Sequence, residues 1–298
     1  MKTKKLLLIG CLLSACIQIS LAQFKQVILP YYDQKTELWG YRDSALNMVA
    51  IPARFQFADR HIQGIARVEE DGKWGFIAFS GKEIVTPIYD DAQNMKDSLA
   101  AVKLNGKWGF IDRTGKEVIP FKYDLATSFN EDRAAVYNGE FWGFINKKGV
   151  KGIDFMFGYD ENVFPEFKEG LANVKFRDKY GYIGSNGQIL IKFDYDYALP
   201  FDNGIAAVQI DSKWGFINKT GKEVIPIKYE IGGNTFPVFN DGLTPVRIDN
   251  KYGFIDRKGN EIIPLIYDYA SNFEKGKAPV RLGSESFYIN TKGERLDK

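Results

Sequence analysis

Eight anchors, Trp39, Trp74, Trp108, Trp142, Tyr180, Trp214, Tyr252 and Ser286, follow one another at intervals of 35, 34, 34, 38, 34, 38 and 34 residues. A second register runs beside them: Gly81, Gly115, Gly149, Gly187, Gly221, Gly259 and Gly293 each stand seven places after an anchor. A fixed period of roughly 20 to 50 residues restricts a chain to stacked or radial copies of one supersecondary unit. No single copy can bury its own apolar face, so each must be covered by its neighbours.

The clearest copy begins at Leu99. Ala101 to Leu104 and Lys107 to Ile111 flank Asn105-Gly106, a pair that tolerates positive φ at both places and suits the type I′ turn of a hairpin. Asp71-Gly72, Asp211-Ser212 and Asp249-Asn250 hold the same corner elsewhere, while Asn138-Gly139 comes one residue early and predicts a longer or bulged loop. The next corner, Asp112 to Gly115, calls for a left-handed glycine in its fourth place. A third strand then starts at Lys116 and is expected to end at Pro120, which cannot donate to a ladder. Each unit is thus predicted to be a three-stranded antiparallel meander.

The stretch from Tyr123 to Ala126 and on to Phe129 leads into the next unit, and Phe129, Phe167, Phe201, Phe239 and Phe273 recur there. These rings, with the anchors, are expected to form a core ladder between neighbouring units, since aromatic side chains bury large areas. On a strand, Trp108 and Phe110 share one face while Gly109 leaves a gap on the other. A neighbouring backbone or ring can approach through that gap.

Two intervals lengthen to 38, and both insertions lie between a third strand and the next hairpin, spelled Phe164-Pro165-Glu166-Phe167 and Phe236-Pro237-Val238-Phe239. Insertions in repeat proteins map to loops on one face, often the binding face. Tyr159, Phe164, Tyr229 and Phe236 are therefore the candidate partner-binding residues. The competing reading is that these loops close over their own unit's aromatics.

The amino terminus reads as an export signal: Lys2, Lys4 and Lys5 precede an apolar run from Leu6 to Ala22. Cleavage after Ala22 gives a signal peptide of residues 1–22 and a single repeat domain of residues 23–298. The alternative is a lipoprotein signal of residues 1–15, with Leu13-Ser14-Ala15-Cys16 as lipobox and Cys16 acylated. Either places the protein outside the cytoplasm, in the periplasm, at the cell surface or secreted, with a membrane contact only through that lipid. No other apolar run approaches the ~18 residues of a bilayer span. Loss of residues 1–22 leaves 37 basic against 38 acidic side chains, so a nucleic-acid partner is not expected. Cys11 and Cys16 are the only cysteines, so the repeats offer no disulfide or thiolate metal site.

Nothing in the motifs calls for a cofactor or metal. His61 is the only histidine and stands where later copies have Phe, which removes histidine-based triads and poly-His metal sites unless it acts alone. Paired carboxylates could still support glycoside hydrolysis, yet Asp90, Asp112, Asp124, Asp160, Asp256 and Asp268 recur at turn positions. No catalytic residue is assigned.

The string Lys-Trp-Gly-Phe-Ile-Asp, with its turn glycine and Lys-Glu-Val-Ile-Pro-x-x-Tyr-Asp, closely resembles the WG, or KWG, repeat of bacterial proteins. The resemblance runs from about residue 25 to 298, with degenerate end copies: Leu46 replaces the first turn glycine, and Ser286-Phe287 replaces the last Trp-Gly. It implies a β-rich repeat domain often found in exported proteins, and carries over no catalytic residue. The expected fold is all-β, an array of about eight three-stranded antiparallel units forming an open β-solenoid or superhelix, with a closed β-propeller as the alternative. The expected function is non-catalytic binding or scaffolding at the cell envelope or exterior, by a monomer that presents an extended surface to a protein or glycan partner. A polysaccharide hydrolase using Asp or Glu and a purely structural envelope component are the alternatives.

Overall fold

The computed structural model describes residues 28–232 and 236–296. Cys11, Cys16 and both cleavage sites lie outside the described residues. Among the described residues the chain is all-β, with eight small antiparallel sheets in tandem. Units 1 to 8 take residues 28–55, 57–89, 91–123, 125–157, 167–195, 197–229, 243–267 and 269–296.

Unit 3 shows how the sequence builds one sheet. Leu99–Leu104 and Lys107–Asp112 pair in a regular hairpin, closed by Asn105 and Gly106 at φ 50° and 78°, both positive as a type I′ turn requires. At the second corner the Asp112 carboxylate accepts from the N–H of Thr114 and of Lys116, at 2.8 and 3.1 Å. Gly115 there has φ +83°, and a Cβ on it would fall 2.7 Å from Val85 of unit 2. That glycine therefore serves the turn and the contact with the preceding unit. The early Asn138 opens unit 4's hairpin into a wider loop, its side chain accepting from Glu140 and Phe141 N–H.

The third strand does not stop at the proline. It runs Glu117–Tyr123, and Pro120 sits in a bulge, because Phe110 pairs with Ile119 and Trp108 with Tyr123. The missing donor costs nothing where the ladder is already interrupted. The bulge also explains the Trp-Gly pair. A Cβ on Gly109 would lie 2.8 Å from Ile119 O and 3.0 Å from Phe121 N, so the neighbour that enters the gap is the unit's own third strand. A short fourth strand, Leu125–Ala126 in unit 4, joins most sheets ahead of the hairpin; units 1 and 7 have three strands among the described residues.

Both faces of interior sheets are buried. Phe110, Ala101 and Trp108 pack towards unit 4, whereas Ala100, Val102 and Ile111 pack towards unit 2. Seven hydrophobic clusters result, each drawn from two consecutive units. At roughly 1.5–3 kcal/mol per buried large apolar side chain, these seams hold the array together. The recurrent Phe closes five of the seven seams: Phe129 on Phe110, Phe167 on Phe144, Phe201 on Tyr182, Phe239 on Phe216 and Phe273 on Phe254, all with ring centroids at 4.9 Å; His61 and Met95 hold that place in the first two. No cluster among the described residues joins unit 1 to unit 8. Tyr288 of unit 8 is 48% exposed at the place where Phe110 is fully buried, so the last unit leaves open the face that interior units bury.

Candidate functional site

The two insertions fold back on their own units. Phe164 and Phe236 meet Trp142 and Trp214 edge-on, both at 5.8 Å with interplanar angles of 76° and 77°, and Pro165 and Pro237 behind them are buried. Phe236 is half-buried, also against Tyr197. Phe164 stays 44% exposed and Tyr159, seated on Tyr137 at 5.3 Å, stays 45% exposed. Tyr229 does not belong with them. It is buried in the seam between units 6 and 7, paired with Trp214, and its counterpart in unit 4 is Phe157 rather than Tyr159. The four candidates therefore reduce to one exposed aromatic pair, Tyr159 and Phe164, and one covering ring, Phe236.

The repeated carboxylates are tied into turns. Asp112 and Asp256 each accept two backbone N–H groups at the second corner. Asp90 accepts from Lys73 of its own hairpin at 2.8 Å and from Gly106 N of the next at 3.0 Å. Asp268 repeats this with Lys251 at 2.6 Å and Gly283 N at 2.7 Å, and Asp196 with Lys179 and Asp211 N. Hydrogen bonds from the lysine hold Asp90, Asp196 and Asp268 below the usual carboxylate range. These acids staple successive hairpins together. Asp124 pairs with Lys107 and Asp160 with Lys175. His61 takes the seam position of the recurrent Phe, on Tyr41 at 4.8 Å, and burial lowers its pKa.

A second feature arises where units 5, 6 and 7 meet. A cleft of about 340 Å³ is framed by Glu166 of the first insertion's motif, by Lys168 just after it, and by Pro237, Val238 and Phe239 of the second. Asp202 stands at its mouth, accepting from Lys168 at 2.9 Å and from Arg257, which also donates to Asp202 O at 2.9 Å. Lys168 first, then Arg257, hold the Asp202 carboxyl down at about 2. The shared spelling of the insertions pointed to this region. Arg257 carried no such signal, because it reaches Asp202 from 55 residues away.

A tandem array of small sheets built on Trp-Gly hairpins defines a class of β-rich repeat protein. The family described as the WG containing repeat matches residues 39–74, 74–108, 108–140, 142–180, 180–214, 214–252 and 252–285, and the chain belongs to that family. No curated protein matches the sequence significantly. Among solved structures, a eukaryotic initiation factor aligns over 90% of this chain and 86% of its own, at 12% identity and a TM-score of 0.56. The dihydro-heme d1 dehydrogenase NirN, solved in complex with DHE, aligns over 91% and 72%, at 10% identity and a TM-score of 0.47. The first likeness is one of fold alone, and the second is too loose to say more.

Proposed function

We propose that this WG-repeat protein is a non-catalytic binding or scaffold component of the cell envelope or exterior, contacting a protein or glycan partner through its repeat surface. The reading is supported by Tyr159 and Phe164, two rings left nearly half exposed on the loop where unit 4 departs from the period. Each has its inner side held by a buried or half-buried ring, Tyr137 or Trp142. Such rigid amphipathic rings offer contact area at low entropic cost, as at protein interfaces, and flat faces on which a sugar can stack. The repeated acids Asp90, Asp112, Asp256 and Asp268 are engaged in turns and staples, which favours a structural role for them over a catalytic one.

Affinity capture from native envelopes with the purified protein tests this. A specific partner should be retained by the wild type and lost from the Tyr159→Ala, Phe164→Ala double variant, with far-UV dichroism unchanged. Equal capture by both proteins would sink the assignment of this patch.

A further inference from the structure

The cleft between units 5, 6 and 7 includes neither Tyr159 nor Phe164 in its lining and has a composition of its own. We propose that it is a binding site for a small amphiphile that carries one carboxylate on an apolar body. Its walls are apolar, formed chiefly by Leu199, Ile205, Ala207, Phe216, Val238 and Phe239. Its volume of about 340 Å³ falls at the small end of ligand pockets, roughly 300–1,000 Å³.

The polar groups give the ligand its charge. Glu166 is engaged by Asn130 at 2.9 Å and by Lys96 at 3.9 Å. Lys96 meets Glu166 from outside the lining, and Lys168 and Arg257 share the single carboxylate of Asp202, so two bases face one acid there. The Arg257 guanidinium lies over the Phe239 ring, its central carbon 4.8 Å from the ring centroid. Its two bonds to Asp202 leave further N–H groups of the guanidinium fork, and Lys168 likewise has ammonium protons to offer. A carboxylate placed there meets two donors of opposite charge, the geometry that makes charge-assisted bonds strong. The apolar body would then enter between Ala207 and Val238, displacing water from walls that cannot hydrogen-bond to it.

Titration calorimetry on the purified protein tests the site with octanoate, with N-acetyl-leucyl-leucine and with octanamide as the uncharged twin. Both carboxylates should bind, and octanamide should bind at least tenfold more weakly. Tighter binding of octanoate would mark a lipid-derived ligand, and tighter binding of the dipeptide a peptide end; either supports the site. Arg257→Gln should weaken carboxylate binding by roughly tenfold. Because Arg257 also ties unit 7 to unit 6, Lys168→Gln and the plug Val238→Trp serve as variants at partly exposed side chains, the first weakening and the second abolishing binding. Absence of carboxylate binding at millimolar concentration, equal binding of octanamide, or binding unchanged by Val238→Trp would overturn the proposal.

Discussion

Units 5 and 7 cover their anchor ring differently from units 4 and 6. In the former, a tyrosine seventeen residues on lies against the anchor: Tyr197 on Tyr180 at 5.8 Å and Tyr269 on Tyr252 at 6.1 Å. In units 4 and 6 that place falls to Tyr159 and Ile231, and the covering ring arrives from the insertion as Phe164 or Phe236. Trp142 ends fully buried and Trp214 nearly so. The extra residues thus do not open a loop; they reroute the chain while keeping the ring covered. The cost is the short strand. Unit 7 has none among the described residues, and unit 5's is displaced to Phe167–Lys168, pairing with Ala172 and Leu171. That displacement carries Glu166, Lys168, Val238 and Phe239 to the cleft.

The largest effect is expected where units 3 and 4 share a constraint but differ in tightness. Gly109→Val drives a side chain into the backbone of the third strand, with contacts of 2.8 and 3.0 Å already at Cβ, and should lower stability by about 3 kcal/mol. In unit 4 the same Cβ on Gly143 meets Ile153 O and the Phe155 ring at 3.1 Å, so Gly143→Val should cost about 1.5 kcal/mol. Urea unfolding midpoints at unchanged slope read both, and equal costs would break the link between bulge tightness and the glycine.

Next come the covering rings themselves. Phe236→Ala loses contacts with Trp214 and Tyr197 from a half-buried position, at about 2 kcal/mol, whereas the more exposed Phe164→Ala should cost about 1 kcal/mol. Both should shift tryptophan emission to the red as Trp214 or Trp142 is wetted. An unshifted spectrum would mean that the insertions do not act as covers.

The junctions differ in charge as well. Between units 5 and 6, Asp196 takes a lysine and a backbone N–H of the next hairpin, whereas beyond unit 6, Glu230 takes Lys213 and Arg247 side chains. With Lys179 holding the Asp196 pKa below its unfolded value, its contribution is complete above about pH 4 and is lost as pH falls through the folded pKa. Melting temperature should therefore drop on acidification below pH 4, and Asp196→Asn should make that drop shallower. The effect is modest because the carboxylate is partly solvated.

How much of this was legible follows from the distance over which each feature is decided. The type I′ corners, the left-handed glycines and the Phe row are set within a few residues, so Asn105-Gly106, Gly115 and Phe129 announced themselves. The continuation of the strand past Pro120 was not legible, since it depends on a bulge that only cross-strand pairing defines. Tyr229 looked like a loop aromatic beside Tyr159 because both precede or end a turn, yet register with Trp214 decides its burial. The cleft was half legible: its insertions stand out in the spacing, while Arg257 and Asp202 meet only when units 6 and 7 stack.

The smallest effect concerns the seam position where unit 2 carries His61 in place of the Phe of units 4 to 8. His61 packs on Tyr41 and Phe79, with Nε2 3.3 Å from Ala78 O and Nδ1 buried without a partner among the described residues. Burial lowers its pKa, so the unfolded chain takes up the proton first, and stability should fall as pH drops below about 6.5 towards the folded value. His61→Phe supplies the ring that Phe129 and its counterparts provide and removes the unpaired nitrogen. It should raise stability by about 1 kcal/mol and remove the slope between pH 6.5 and 5, measured by melting temperature across that range. A loss of stability instead would mean that the contact with Ala78 O outweighs the seam, and that unit 2 is built to a different rule from units 4 to 8.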